Sequence, residues 1–184
     1  YHGSPEATRG ALTDDGWLRT GDLARRKILP GLYRRFVAGQ MPGDSRIIGA
    51  ARADLTDEGF REQVRAAIAE FVPKARQDQA AIEGFLGRIH YVSMDATGTG
   101  GWAALKALMR ENVVRAFYFS VAPSLFGDIA QRLSEYGIAD AWSRIVVEKP
   151  FGRDLASAKA LNAVLAKHFN ETQIYRIDHY LGKE

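Results

Sequence analysis

Apolar residues fall into two alternating rhythms along this chain from residue 46 onward. Short runs rich in branched and aromatic residues predict strands at Arg46 to Ala51, Ile89 to Met94, Val113 to Val121, Arg144 to Val147 and Ile174 to Ile177. Between them the spacing lengthens to three and four. Phe60, Val64, Ala67, Ile68 and Phe71 mark an amphipathic helix over Glu58 to Phe71. Trp102, Leu105, Leu108 and Met109 share one face of a helix over Gly101 to Glu111. Further helices are predicted over Ser124 to Tyr136, with Ser124 as N-cap, and over Leu155 to Phe169, stopping near Asn170. A helix over Leu23 to Val37 carries Pro30 in its interior, which interrupts the hydrogen-bond ladder.

This β-α-β-α order predicts an α/β fold with a doubly wound, parallel, Rossmann-like sheet. The nearly continuous apolar run of Val113 to Val121 suits a central strand covered on both faces. The start of the chain departs from the pattern. Such a fold opens with a buried strand running into a glycine-rich turn, but Leu12-Thr13-Asp14-Asp15-Gly16-Trp17-Leu18-Arg19 makes a poor central strand. The first strand is therefore expected to be replaced or degraded.

Composition narrows the classes. At 184 residues, 46% hydrophobic and 26% charged, the chain suits one ordinary globular domain. Its net charge of +3 favours anionic ligands mildly and argues for no nucleic-acid partner. The basic run Arg25-Arg26-Lys27 with Arg34-Arg35 reads as a solvated helix face or a phosphate neighbour. With no cysteine there is no disulfide or thiolate metal site, which fits a cytoplasmic location. His2, His90, His168 and His179 show no metal-ligand spacing, so no metal is expected. No apolar stretch approaches the about 20 residues of a membrane helix, so no membrane partner is expected.

The candidate chemistry lies at the ends of predicted strands, where open α/β sheets hold their ligands. The last strand runs into Asp178-His179-Tyr180-Leu181-Gly182-Lys183-Glu184, which gathers a carboxylate, an imidazole, a phenol and an ammonium in one loop. Cations beside a hydrogen-bonding phenol suit a phosphorylated, hydroxyl-rich substrate; a helix start with solvated charges is the plainer reading. Lys149 ends the Arg144 strand and reads either as a ligand-binding ammonium or as a solvated loop lysine. Arg52 ends the first predicted strand with no acid at its tip, an arrangement that accommodates a coenzyme 2′-phosphate, or else is a surface arginine. Asp95 and Ala96 end the Ile89 strand and face the same crevice.

Two stretches carry a resemblance. Arg144-Ile145-Val146-Val147-Glu148-Lys149-Pro150-Phe151-Gly152-Arg153-Asp154-Leu155 and the terminal Asp178 to Glu184 look like signatures of the glucose-6-phosphate dehydrogenases. From about Thr20 to Glu184 the chain is similar to the N-terminal coenzyme domain of that family. The resemblance implies NADP as cofactor, glucose 6-phosphate as substrate, 6-phosphogluconolactone as product and a place in the pentose phosphate pathway. It implies that Lys149 contacts both substrate and coenzyme, that His179 and Lys183 grip the sugar phosphate, and that Tyr180 adds a hydroxyl contact. Asp178 would orient a catalytic histidine lying beyond Glu184, where the family continues with a second domain. Turnover by this chain alone is then expected to be negligible, and a non-catalytic nucleotide-binding or association module is the alternative. Family members are homo-oligomeric, mainly through that second domain.

The family's Gly-x-x-Gly-Asp-Leu phosphate turn matches Leu18, Arg19, Thr20, Gly21, Asp22 and Leu23, so Gly21, Asp22 and Leu23 are coenzyme candidates while Leu18 replaces the first glycine. Asp95 and Ala96 would lie on the adenosine side. Phe126 stands where some members place a tyrosine near the coenzyme. Residues 1–24 resemble instead the adenylate-forming acyl-CoA synthetases, through Gly16-Trp17-Leu18-Arg19-Thr20-Gly21-Asp22-Leu23, in which Asp22 would contact a nucleotide ribose. The chain is accordingly expected to be a chimera, with residues 1–19 foreign and 20–184 a C-terminally truncated NADP-binding domain.

Overall fold

The computed structural model describes residues 23–148 and 154–177. They form two compact units, one of residues 23–49 and 54–91, the other of residues 50–53, 92–148 and 154–177. The elements, in chain order, are α1 (Leu29–Val37), β1 (Ile47–Ala51), α2 (Asp57–Phe71), α3 (Gln79–Leu86), β2 (Ile89–Ser93), α4 (Trp102–Leu108), β3 (Ala116–Phe119), α5 (Phe126–Glu135), β4 (Arg144–Glu148), α6 (Leu155–Ala166) and β5 (Ile174–Ile177). The fold is mixed α/β with parallel strands, as the alternating pattern requires. The expected defect in a first strand falls on residues 12–19, outside the described residues.

In the first unit the chain opens on a wide π turn, Ala24–Ile28, that runs into α1. Pro30 has no N–H to give, and the turn before it widens so that the Leu29 amide reaches Ala24 O. Thr56 caps α2 by accepting from the Gly59 amide at 3.1 Å, and Asp57 and Glu58 complement the dipole of its first turn. Val72 turns extended ahead of Pro73 and ends the helix. The core packs Leu29, Tyr33, Val64, Ile68, Val72, Ile82, Phe85, Leu86 and Ile89. Tyr33 is fully buried, with its hydroxyl donating to Arg76 O and accepting from the Asp78 amide. Gly49 in β1 lies beneath Phe60, whose ring would meet an added Cβ at 2.5 Å.

The helix α3 is not foreseen by the sequence pattern. It has eight residues and a polar start, but Asp78 caps it by accepting from the Ala81 amide at 2.7 Å, and it buries Ile82, Phe85 and Leu86. The basic residues Arg25, Arg26, Lys27, Arg34 and Arg35 all stay exposed, the solvated helix face expected of them. Arg25 pairs with Glu70 at 2.7 Å, and both Arg25 and Arg26 lie over the Phe71 ring.

β1 and β2 run in the same direction, since the Ile47 amide reaches Arg88 O at one end and the Met94 amide reaches Ala51 O at the other. The second unit adds a parallel sheet of order β3-β4-β5. Ile145 and Val147 of β4 are buried on one face, joined by Phe119, Phe126, Ala130, Leu133 and Leu165 in the core. Three expectations are corrected. The strand expected over Val113 to Val121 is confined to Ala116–Phe119 and stands outermost among the described strands of its sheet. Arg115, just before it, gives hydrogen bonds to Arg110 O in the preceding loop and to Ile138 O and Asp140 in the loop ahead of β4, while Val114 is exposed. Ser124 is no N-cap: it sits inside a 3₁₀ turn, Pro123–Leu125, and α5 begins only at Phe126. The helices α4 and α6 end earlier than their apolar spacing suggests, at Leu108 and Ala166.

Gln173 ties the base of this sheet. It is buried, its amide donates to Asp140 O at 2.9 Å and Ser143 O at 3.0 Å, and its Oε1 accepts from the Asn170 amide at 3.0 Å. Gln173→Ala should lower unfolding stability by about 1–3 kcal/mol, because it strands the buried Ser143 carbonyl and loses the partly buried bonds to Asp140 O and the Asn170 amide. Chemical denaturation measures this, and an unchanged midpoint would show that water replaces the amide at no cost.

Candidate functional site

The loops that leave the C-terminal ends of the parallel strands carry the candidate residues. Arg52 follows β1 directly and is exposed. Asp95, exposed, and Ala96, half-buried, follow β2. Because β1 and β2 are paired, the two loops start side by side, and the Arg52 guanidinium acts electrostatically on the Asp95 carboxylate. That juxtaposition of residues 43 positions apart comes from strand pairing, not from local sequence.

Asp95 also organises its own loop. Its Oδ1 accepts from the Thr97 amide at 3.0 Å and from the Thr97 hydroxyl at 2.9 Å, and its carbonyl accepts from Trp102 Nε1 at 3.1 Å. The Thr97 amide, the Thr97 hydroxyl, the Gly98 amide and Arg52 together hold its carboxyl below the ordinary aspartate value, against the opposing effect of burial. Trp102 is buried and stacks on Tyr136, anchoring the loop's far end. Gly101 closes the loop at φ +84°, where an added Cβ would lie 2.5 Å from Ser93 O and 2.7 Å from Met94 Cα. A polar cleft of about 230 Å³ adjoins this loop, lined by Thr97, Asp128, Gln131, Arg132 and Glu135. Its Arg132 is committed to Thr97 O at 3.0 Å.

Leu23 is half-buried at the first turn leading into the π segment. Phe126 is 1% exposed and packs on Phe119 at 5.3 Å between ring centroids, so it serves the core and offers no ring to a ligand. His90 pairs with Asp57 at 3.1 Å, and His168 lies in the turn after α6; among the described residues no cluster has the makings of a metal site. Gly21, Asp22, Lys149, Asp178, His179, Tyr180 and Lys183 lie outside the described residues.

The roots of the two signature loops are nevertheless fixed. Glu148, the last residue of β4, pairs in parallel register with Ile177, the last residue of β5. The chain therefore leaves toward Lys149 and toward Asp178 from neighbouring points on one edge of the sheet. Behind that edge stand two residues the sequence reading does not single out. Tyr118 pairs with Val146, and alternation along β4 brings Glu148 onto the same face, one step further toward the rim. The Tyr118 hydroxyl and Glu148 Oε1 are both shielded from solvent. Burial, with the nearby Glu148 carboxylate and its charge, pushes the Tyr118 phenol far above its ordinary range. The phenol thus stays protonated. The only sequence signal is a hydroxyl inside the apolar run of β3.

A family model for the NAD binding domain of glucose-6-phosphate dehydrogenase matches residues 19–184. A glucose-6-phosphate 1-dehydrogenase of Rhizobium meliloti (strain 1021) is 47% identical over 167 residues, which cover 90% of this chain and 34% of that protein. The same enzyme of Gluconobacter oxydans (strain 621H) is 45% identical over 169 residues, 90% of this chain and 35% of the relative. The crystal structure of the Mycobacterium avium glucose-6-phosphate 1-dehydrogenase superposes with a TM-score of 0.81 at 36% identity, over 89% of this chain and 35% of that one. A glucose-6-phosphate dehydrogenase solved with its substrate glucose 6-phosphate gives 0.78 at 34% identity, over 90% of this chain and 36% of that one. The chain spans about a third of the length of these relatives. The match begins at residue 19, so the acyl-CoA synthetase likeness of the preceding residues draws no support from it.

Two outcomes are expected from the Asp95 loop. Gly101→Ala should cost about 1–3 kcal/mol in chemical denaturation, since the backbone there holds a left-handed turn against β2. The Asp95 carboxyl, lowered in the folded state, stabilises the fold above its unfolded value, and that contribution is lost as pH falls through the folded value. Asp95→Asn should remove this part of the acid-side pH dependence in denaturation midpoints taken over a pH series.

Proposed function

The chain belongs to the glucose-6-phosphate dehydrogenase family, within its NAD binding domain, and from that premise we propose that it binds NADP and glucose 6-phosphate where its parallel strands end. It would do so as part of an enzyme that oxidises glucose 6-phosphate to 6-phosphogluconolactone in the pentose phosphate pathway. The observation that carries this reading is the pairing of Glu148 with Ile177, which starts both signature loops from one edge.

The residues fit the coenzyme. Arg52 stands exposed at the end of β1, suited to a 2′-phosphate, and the neighbouring Asp95 carboxylate is occupied by its own loop. Gly21, Asp22 and Leu23 would present backbone N–H groups to the pyrophosphate at the start of the first helix, with Ala96 lining the adenosine side. NADP, when bound, supplies the acceptor for the hydride from the sugar C1. Lys149 would hold substrate and coenzyme together, His179 and Lys183 the phosphate of the sugar, and Tyr180 a further oxygen. Asp178 would orient the histidine that takes the C1 hydroxyl proton, a group the resemblance puts beyond Glu184. The same reading takes the enzyme as cytoplasmic and homo-oligomeric. It takes residues 1–19 as a segment of adenylate-forming type, supported by the run Gly16 to Leu23.

Titration with NADP, followed by tryptophan fluorescence, should saturate. A flat titration of a folded protein would favour a scaffold without a coenzyme site, the reading to which the replacement of a turn glycine by Leu18 points. Arg52→Ala should weaken NADP by about tenfold, the loss of one charge-assisted contact, and leave NAD within about twofold. Equal losses for both coenzymes would remove Arg52 from 2′-phosphate recognition.

A further inference from the structure

The loop between β2 and α4 carries Asp95 and Ala96, and three of its seven residues from Asp95 to Gly101 are glycine. A segment of that composition loses much freedom when a ligand orders it, and that loss weakens binding. Here the loop is held before any ligand arrives, and the hold comes from α5. Arg132 donates through Nη2 to Thr97 O at 3.0 Å, near the middle of the loop. Tyr136, the C-cap of α5, stacks on Trp102 with ring centroids 5.7 Å apart and planes at 20°. Trp102 Nε1 in turn donates to Asp95 O at 3.1 Å, at the start of the loop. The two bracing residues stand one turn apart, with the Tyr136 amide bonded to Arg132 O at 2.9 Å. The helix that carries them is itself anchored, because its Phe126, Ala130 and Leu133 are buried in the core. Asp128 and Glu135 flank Arg132 one turn to either side, where ion pairs along a helix form, yet the guanidinium reaches across to the loop.

We propose that Arg132 and Tyr136 are positioning residues for the coenzyme site, bracing the loop after β2 so that Asp95 and Ala96 meet the adenosine half of NADP already ordered. The inference rests on the function proposed above. Neither residue touches the coenzyme: one acts through the Thr97 carbonyl, the other through the indole of Trp102. The stack needs a ring at residue 136 and not a hydroxyl, so phenylalanine can stand in for tyrosine.

Binding of 2′,5′-ADP, the adenosine half of the coenzyme, to the full 184-residue protein by calorimetric titration provides the test, with circular dichroism to establish that each variant is folded. Arg132→Ala and Tyr136→Ala should each weaken binding by about fivefold, whereas Tyr136→Phe should stay within about twofold of the unaltered protein. The ratio between unaltered protein and Arg132→Ala should be the same at about 50 and about 300 mM salt, because a brace acts through the backbone; a ratio that shrinks in salt would make Arg132 a charge felt directly by the phosphates and overturn the proposal. A second readout is amide hydrogen exchange without ligand, followed by mass spectrometry. Exchange over residues 95–101 should quicken in Arg132→Ala while β2 and α5 stay protected, and unmoved exchange in the loop sinks the positioning role. If Tyr136→Ala does not fold, the binding and exchange of Arg132→Ala decide alone. Unaltered protein that binds neither 2′,5′-ADP nor NADP would bring down the proposed function and this inference together. Unaltered protein that binds, with variants that match it, would bring down this inference alone.

Discussion

The parallel register of β4 between β3 and β5 is the constraint on which the rest of the second unit depends. Ile145 and Val147 enter the core, which forces Val146 and Glu148 to the opposite face. A slip of one residue would reverse that assignment, burying the carboxylate among Phe119, Phe126 and Leu133. The apolar face thus selects the register, and the register selects which residues stand last on each strand. Through it, a packing preference deep in the sheet decides where two polar loops begin.

Strand and helix order was legible because each element has a strong period. β5 lies over the four residues its apolar run marks, and α2 starts one residue before its expected start, at the Thr56 cap. Ends were less legible because they are set by tertiary partners. β3 begins only after a guanidinium that bonds to carbonyls from two loops, and nothing in Val113 to Val121 encodes that. The helix α3 was hidden for a different reason: eight residues give barely two turns of periodicity, and its cap, Asp78, is a residue type equally common in turns.

For the site, sequence placed Arg52, Asp95 and Ala96 at strand ends but assigned Asp95 only a ligand-facing role. Its oxygens largely serve Thr97, so the residue shapes the rim from within. The basic run after Leu23 illustrates the converse. Charges that read as a solvated face or a phosphate neighbour stay exposed, two of them leaning on Glu70 and the face of Phe71. The placement of Tyr118 and Glu148 on one face was out of reach altogether, since it needs both the pairing partner and the register of β4. Short-range patterns report what a residue is near along the chain; sheets add neighbours from tens of residues away.

Gln173 gives the sheet a temporal order. Its side chain caps carbonyls of Asp140 and Ser143, about 30 residues earlier in the chain. On a ribosome those carbonyls exist well before the amide that satisfies them, and until then water must occupy them. The loop leading into β4 can therefore reach its final hydrogen-bonded state only after Gln173, just ahead of β5, has emerged. Loop closure over that span makes the last strand a late arrival, with β3 and β4 waiting as a pair whose outer edge stays open.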